Sequence, residues 1–163
     1  MQFWLLKSEP VTFSIEALQR APQQITHWDG VRNYQARNYL RNMQVGDLAL
    51  FYHSNCTPPG IVGVVRVVKA AHSDDTAWDP TSEHYDPRST KEVPIWSQVD
   101  VQLVEIWKEG LSLETLKSHA DTLGEFPLVR RGNRLSVMPV TPSQWEEIHA
   151  IAGVSVSKKA FSD

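Results

Sequence analysis

Polar side chains follow three apolar stretches of the sequence, at points where a buried strand would end. The stretch "LLKSEP" places a lysine, a hydroxyl and a carboxylate in succession, and "FYHSN" places two aromatic rings, an imidazole, a hydroxyl and an amide. The third stretch, "LVRRGNRLSV", carries three arginines around a Gly-Asn turn. The residues concerned are Lys7, Ser8, Glu9, Phe51, Tyr52, His53, Ser54, Arg130, Arg131 and Arg134.

These residue types together fit the recognition of a nucleobase. Aromatic faces stack on bases, hydroxyl and carboxylate groups bond to base edges, and arginines contact phosphates. Two of the six tryptophans add to the set, because Trp28 stands ahead of a predicted helix and Trp96 ahead of a predicted strand. The combination indicates a pocket for a base that has been lifted out of a duplex.

A purely structural origin is the competing interpretation, since each stretch can also be loop polarity beside a core aromatic residue. Trp96 is the clearest case. It follows residues 72–92, which are polar and predict a long loop, and loops of that length are usually functional or disordered. Trp96 is either a wall of the pocket or a core residue beneath the loop, and we favour the wall.

Metal binding and nucleophilic catalysis have weak support in the sequence. His53, Cys56, His72 and His84 can be drawn as a zinc site, yet tetrahedral zinc needs four ligands in recognisable pairs and the chain has one thiol. Cys56 lies in a Pro-rich turn with no identified base. We therefore expect no metal and no cofactor.

Motifs of nucleotide-dependent and hydrolytic enzymes are missing as well. The sequence contains no G-x-G-x-x-G, no phosphate-binding P-loop and no G-x-S-x-G. The run "GIVG" at Gly60–Gly63 has a spacing found in some RNA-binding loops, but it lies inside a β-rich run. Glycines in that position indicate a close approach of strands.

Length and composition fit one globular domain of 163 residues, with 41% hydrophobic and 21% charged residues. One cysteine excludes an internal disulfide, so we expect an intracellular monomer, in the cytoplasm or, if the source is a eukaryote, the nucleus. No segment has the apolar length of a membrane span, and the N-terminus lacks the features of a signal peptide. The net charge of −3 gives no global attraction to nucleic acid, so an anionic partner needs a local basic patch or a specific pocket.

Hydrophobic periodicity predicts the strands that position these residues. Apolar or alternating runs predict strands in "QFWLLK", "LALFYHS", "IVGVVRVVKAA", "QVDVQLVEIW" and "RLSVMPV". The Pro/Gly turn "NCTPPG" joins the second and third as a hairpin. In the fourth strand, Val99, Val101, Leu103 and Glu105 lie on one side.

Capping residues and apolar stripes predict the helices between the strands. Thr12 or Ser14 caps the first and Ser112 a later one, while the last has a capping box of Thr141 and Gln144. Another helix follows the Asp-Gly turn in "WDGVRNYQARNYLRNM". Short strands with helices scattered between them predict an α+β fold, a small curled sheet or barrel. We expect the domain over residues 1–153 and a C-terminal tail over residues 154–163.

The chain resembles the EVE domain family. The resemblance rests on "FWLLKSEP", "WDGVRNYQARN", "GDLALFYHSN", "PGIVGVVRVVKAA", "HYDPRS", "WSQVDV" and "RLSVMPV", which occur in the family's order over residues 2 to about 152. It implies a PUA-like fold, a small mixed β-barrel flanked by helices, related to the YTH readers of methylated adenine and to ASCH domains. It also implies a pocket for a modified base, with modified cytosines in DNA as the favoured ligands and RNA as the alternative carrier.

The same resemblance implies the members of the pocket, motif by motif. The implied pocket residues are Lys7, Ser8, Glu9, Trp28, Asn33, Phe51, Tyr52, His53, Ser54, Tyr85, Asp86, Pro87, Trp96, Leu135 and Ser136. The expected phosphate contacts are Arg130, Arg131 and Arg134.

Two other functions compete with a non-catalytic reader. The related ASCH domains include amidohydrolases that remove an acetyl group from cytidine with a lysine near a glutamate, and Lys7 and Glu9 are similar to that pair. A lysine that has lost its proton can act as nucleophile or base. Glu9, two residues away, is expected to raise the pKa of Lys7 and keep it charged, so we expect no enzyme. The third alternative is an adaptor whose pocket binds no nucleoside.

Overall fold

Residues 1–156, which the computed structural model describes, fold around one mixed six-stranded β-sheet with five α-helices. The strands are β1 (Phe3–Ser8), β2 (Ile25–Trp28), β3 (Leu48–His53), β4 (Gly60–Ser73), β5 (Ser97–Ser112) and β6 (Val137–Val140). The helices are α1 (Ile15–Arg20), α2 (Tyr34–Asn42), α3 (Leu113–Ser118), α4 (Ala120–Leu123) and α5 (Pro142–Ala152). The predicted α+β class is confirmed.

The strand order, β2-β5-β4-β3-β1-β6, places the first strand of the chain beside the third. β1 and β3 are parallel, and the other neighbouring pairs are antiparallel. In the parallel pair Ser8 lies opposite His53, so both strands end at the same edge of the sheet. This pairing brings the stretches "KSEP" and "HSN" together.

Both faces of the sheet are covered by apolar residues, which explains the unbroken hydrophobic runs in the sequence. Successive side chains of a strand point to opposite faces. Trp4 and Leu6 therefore pack in one cluster with α1 and α2, whereas Leu5 packs in another with α3, α4 and α5. The same alternation in β3 places Phe51 in the first cluster and Tyr52 in the second.

Side-chain caps begin the helices close to where the sequence predicts them. Ser14 caps α1, its hydroxyl accepting a hydrogen bond from the Ala17 amide at 3.1 Å. Ser112 caps α3 in the same way, and Thr141 with Gln144 forms the predicted capping box of α5. A cap of this kind contributes about 0.5–2 kcal/mol.

Gly60 and Gly63 mark a close approach of β4 to β5. A Cβ atom at Gly60 would meet the carbonyl oxygen of Leu111, and one at Gly63 the carbonyl oxygen of Glu105. The run "GIVG" is therefore part of a strand contact, as predicted, and not an RNA-binding loop.

The structure differs from the sequence prediction at β2 and in the long loop. β2 has four residues, too few for an alternating pattern to stand out, and it forms an edge of the sheet against β5. β4 extends to Ser73, and a 3-10 helix follows over Asp75–Trp78. The loop expected over residues 72–92 is thus shorter and partly helical.

The predicted C-terminal tail begins directly after α5. Val154 and Val156 are partly buried against the cluster that contains Leu5. Residues 157–163 lie outside the described residues, so the division into a domain of 1–153 and a tail of 154–163 stays a prediction. None of the helices within residues 1–156 is both long and apolar enough to cross a membrane.

Candidate functional site

A cleft of about 1220 Å³, here called the first cleft, opens at the edge of the sheet where β1 ends. Its wall combines the ends of β1 and β2 with the turn after β2, the segment after β3, part of the long loop and the residues before β6. Of the residues implied for the pocket, it contains Lys7, Ser8, Glu9, Trp28, Ser54 and Ser136, together with Arg134.

Ser8 and Glu9 are held in place by the segment that follows β3. The Ser54 amide donates to the Ser8 carbonyl oxygen at 3.0 Å, and the Asn55 side-chain amide donates to Glu9 Oε1 at 3.0 Å. The Ser8 hydroxyl donates its hydrogen to the Phe13 carbonyl oxygen at 2.6 Å. Because that hydrogen is used, the Ser8 hydroxyl can only accept a hydrogen bond from a ligand.

Trp28 lines the first cleft while belonging to the core. It is 6% exposed, and its ring packs edge-on against Phe51 with centroids 5.3 Å apart and planes at 90°. It ends β2, where it pairs with Val99 of β5. Only a small part of the indole is therefore accessible to a ligand.

The turn after β2 is fixed to the long loop by a buried carboxylate. Asp74, whose side chain is fully buried, accepts hydrogen bonds from the Gly30 amide at 2.8 Å and from Arg32 Nη1 at 2.9 Å. Arg32 also donates twice to the His84 carbonyl oxygen, at 3.0 and 2.7 Å. Gly30 is needed here, because its φ is +79° and a Cβ atom would lie 2.7 Å from the His84 ring.

Two carboxylates in this region have shifted pKa values of opposite sign. Although burial alone raises the pKa of Asp74, hydrogen bonds from Thr76, Gly30 and Arg32 hold it below its usual value. Asp29 is exposed as a residue, yet partial burial of its carboxyl and then the charge of Asp74 raise its pKa. Asp29 lines the first cleft, so the cleft contains a carboxylate that takes up a proton more readily than usual.

Asp29, Arg32 and Asp74 were not among the residues predicted for the pocket. Asp29 and Arg32 belong to "WDGVRN", one of the motifs that carry the resemblance, but the motif does not tell which of its side chains face the cleft. Asp74 lies in a polar stretch that offers no signal of burial.

A second cleft of about 530 Å³ adjoins the first. Its described lining contains four basic side chains, Lys7, Lys117, Arg130 and Arg131, and no acidic one. By contrast, the first cleft has three basic side chains, Lys7, Arg32 and Arg134, and three acidic ones, Glu9, Asp29 and Glu83. The second cleft is thus suited to an anion, and the first to a ligand of mixed polarity.

Lys7 and Asn133 line both clefts and form their junction. The Lys7 ammonium lies 5.6 Å from the centre of the Tyr52 ring, and burial raises the pKa of Tyr52 to about 12. Burial lowers the pKa of Lys7. The expectation that Glu9 raises it is wrong, because desolvation is the effect that acts on the amine.

Several residues implied for the pocket serve the fold instead of lining the first cleft. Asn33 caps α2, its Oδ1 accepting from the Ala36 amide at 2.9 Å, and His53 Nε2 accepts from the Ile15 amide at 3.1 Å. Phe51 is fully buried, and Leu135 packs against both apolar clusters. Tyr52 lines the second cleft, since it lies on the other face of the sheet from Phe51.

Trp96 is the core residue beneath the long loop and lines neither cleft, which corrects the preference for a wall position. It is 2% exposed, its indole N–H donates to Asp86 Oδ2 at 2.8 Å, and its ring stacks on Tyr34 with centroids 5.0 Å apart. The Arg88 guanidinium and the Trp96 indole hold the pKa of Asp86 well below its usual range. Tyr85 and Pro87, on either side of Asp86, are also outside the walls of both clefts.

The four residues considered for zinc, His53, Cys56, His72 and His84, do not converge. Cys56 Sγ lies 3.5 Å from the Pro58 carbonyl oxygen. Within residues 1–156, one group of three metal-ligating side chains does come together, His27, His72 and Asp100. His27 is a member that sequence reasoning missed, because it lies on β2.

Comparison with known proteins gives a family match over most of the chain. The EVE domain model matches residues 2–151. Thymocyte nuclear protein 1 of Gallus gallus is 48% identical over 88% of this chain and 65% of its own length, so the chain spans less than two thirds of that relative. A crystal structure of a Pseudomonas putida protein has a TM-score of 0.88 at 52% identity and covers 92% of this chain and 99% of its own. Human THYN1 in complex with 5-methylcytosine containing DNA has a TM-score of 0.84 at 41% identity, over 96% of this chain and 100% of its own.

Proposed function

The chain belongs to the EVE domain family, and from this membership we propose that it is a non-catalytic nucleic-acid-binding module that reads a modified base. The ligand we propose is a modified cytosine in DNA, flipped out of the duplex into the first cleft. The choice of cytosine and DNA is supported by the human THYN1 protein, whose structure is a complex with 5-methylcytosine containing DNA.

The observation that carries the proposal is the junction of two unlike clefts at Lys7 and Asn133. A flipped nucleotide has a base of mixed polarity and, next to it, charged phosphates. The first cleft offers balanced charge to the base, and the second offers basic side chains to the backbone. Arg130 and Arg131 are the phosphate contacts in this arrangement, and Arg134 stands at the base side.

The polar groups of the first cleft fit the edge of cytosine. Carboxylates accept hydrogen bonds from the exocyclic amine of cytosine. Glu9 and Asp29 line the cleft and are the acceptors we propose, with the Ser8 hydroxyl as a further acceptor. Trp28 and Phe13 supply ring surface beside them.

Binding to a panel of oligonucleotides tests this function. Each oligonucleotide, in DNA and RNA versions, carries one modified or unmodified cytosine or adenine. We expect the tightest binding for DNA with a modified cytosine, and we expect Asp29→Asn to reduce that preference. Asp121→Asn, an exposed carboxylate on α4, is the matched control. Equal affinity for every member of the panel would contradict a reader and favour the adaptor.

One observation favours a second candidate, the ASCH-like amidohydrolase acting on an acylated cytosine nucleoside. Burial lowers the pKa of Lys7, which makes a neutral, nucleophilic amine easier to reach. The Glu9 carboxylate, however, is bonded to Asn55, and the amine faces Tyr52. Incubation of the protein with N-acetylated cytidine decides between the two: a reader releases no acetate, whereas release that Lys7→Arg abolishes would establish the enzyme.

We also propose that the protein acts as a monomer, in the cytoplasm or, in a eukaryote, the nucleus. The nuclear alternative is supported by the name of its curated relatives, thymocyte nuclear protein 1. Light scattering on the purified protein, with and without an oligonucleotide, measures the oligomeric state.

A further inference from the structure

Two histidines and an aspartate converge on a single oxygen atom at one side of the sheet. His27 Nδ1 lies 2.6 Å, and His72 Nε2 2.9 Å, from Asp100 Oδ1. The three ligand atoms all lie within 4.8 Å of one another. The residues come from three adjacent strands, β2, β4 and β5, so the cluster crosses the sheet and does not depend on one flexible loop.

Strand register brings the three side chains to the same place. His27 pairs with Asp100 across the β2–β5 ladder, and directly opposite residues share a face. In the β4–β5 ladder His72 pairs with Gln98, two residues before Asp100 on the same strand. Irregularities of register between Val67 and His72 accompany this approach.

We propose that His27, His72 and Asp100 bind a divalent transition-metal ion, with Zn²⁺ and Co²⁺ as representative ions. Two imidazole nitrogens and one carboxylate oxygen suit these metals, whereas Mg²⁺ and Ca²⁺ prefer sites made of oxygen. Tetrahedral ligands of zinc are roughly 3.4 Å apart, given bonds of about 2.0–2.1 Å. Small side-chain rotations therefore convert the hydrogen-bonded cluster into three ligands, with a fourth position left for water.

The hydrogens on the imidazoles have places to go when an ion binds. Each ligating nitrogen must be free of hydrogen, so the other nitrogen of the ring carries it. The His27 side chain is 65% exposed, and its other nitrogen can bond to water. His72 Nδ1 lies 3.4 Å from the Gln98 side-chain nitrogen. Rotation of that amide turns its oxygen toward the ring, at the expense of its bond to the Ser73 carbonyl oxygen.

A bound ion would fasten β2 to the two strands beside it. β2 is a four-residue edge strand that ends in Trp28 and leads into the Asp29-Gly30 turn of the first cleft. His27 itself lines that cleft. The ion thus stabilises one wall of the first cleft. The metal site does not depend on the proposed function, because its ligands are assigned from their own geometry.

Calorimetric titration of the chelator-treated full chain with Zn²⁺, and separately with Co²⁺, tests the site. We expect one ion per chain and a higher melting temperature with Zn²⁺. His27→Gln and His72→Gln should each weaken the affinity at least about tenfold, the scale on which disturbed metal sites lose affinity. His119→Gln is the matched control, since that ring contacts the Thr115 carbonyl oxygen in α3.

Metal-free melting curves show that each variant is folded before it is titrated. The exposed position of His27 makes His27→Gln the safer variant. Binding that does not saturate, or an affinity unchanged in both variants, overturns the site. Binding of one ion that leaves the melting temperature unchanged overturns the fastening of β2. Neither result bears on oligonucleotide binding, so failure here is separable from failure of the proposed function.

Discussion

Trp28 belongs both to the core and to the first cleft, and this double position determines what its replacement should do. Trp28→Ala is expected to lower the free energy of unfolding by about 3–5 kcal/mol, because it removes a buried ring packed against Phe51. It should also weaken binding of a modified-cytosine oligonucleotide by about 1–3 kcal/mol, since a stacking surface is lost. Melting curves and titrations on the same preparation measure both effects.

Trp28→Phe is the control for this experiment, because it keeps an aromatic ring at the same place. We expect it to retain most of the affinity while losing less stability than Trp28→Ala. A folded Trp28→Ala variant that binds as tightly as the unchanged protein would show that the ring does not stack on the base.

Arg130 and Arg131 line the cleft that contains basic side chains only, so their removal should affect all nucleic acid alike. The variant Arg130→Ala/Arg131→Ala is expected to bind modified and unmodified oligonucleotides more weakly by the same factor. Its dependence of log affinity on log salt should be shallower by about one per lost phosphate contact. Titrations at several salt concentrations measure the slope, with the exposed Arg20→Ala on α1 as control. A change confined to the preference for the modification would place these arginines in the base pocket.

At the scale of elements, α1 is tied to the end of β3 through His53. The Ile15 amide donates to His53 Nε2, which requires a neutral ring, and burial lowers the pKa of His53 from 6.5. Above pH 6.5 both the folded and the unfolded chain have a neutral ring, and the contribution to stability is complete. As the pH falls below that value, the unfolded chain binds the proton first, so the free energy of unfolding decreases until the folded pKa is passed.

Urea unfolding at a series of pH values from about 7.5 to about 5 measures this effect. His53→Gln is the matched variant, because a glutamine oxygen can accept from the Ile15 amide without titrating. We expect the variant to lose less stability than the unchanged protein over this range. Identical pH profiles would mean that His53 does not control the attachment of α1.

Asp74 fixes the long loop to the turn after β2, so its carboxylate should matter for both stability and binding. Asp74→Ala leaves the Gly30 amide and the Arg32 guanidinium without their buried partner, and we expect a loss of about 3–5 kcal/mol in the free energy of unfolding. Hydrogen exchange should become faster in residues 74–96. Asp75→Ala, an exposed neighbour, is the control. Equal losses in the two variants would contradict the role of Asp74.

Local sequence predicts those parts of the fold that depend on neighbouring residues. The caps at Ser14 and Thr141 and the strand contact at Gly60 follow from short-range patterns. The buried Asp74 and the edge strand β2 do not, because each is defined by partners far away in the sequence. Trp96 lies in a motif of the family resemblance, yet it supports the loop. A motif does not separate residues that face a ligand from residues that hold the fold.

At the scale of the whole molecule, the net charge of −3 opposes unspecific attraction to nucleic acid. The basic side chains are instead concentrated in the second cleft, beside the balanced charges of the first. The proposed contacts from Glu9 and Asp29, and stacking on Trp28, need the base edge and a ring face to be free. A base paired within a duplex offers neither, so binding requires the base to leave its stack, which costs a few kcal/mol and least where pairing is weak.

A fluorescent base analogue placed beside a modified cytosine measures this step most directly. The protein is titrated into duplexes in which the modified cytosine is correctly paired or mismatched. We expect fluorescence to rise on binding in both duplexes, with tighter binding to the mismatched one. Tight binding to the paired duplex without a rise in fluorescence would contradict base flipping and mean that the protein reads the modification in the groove.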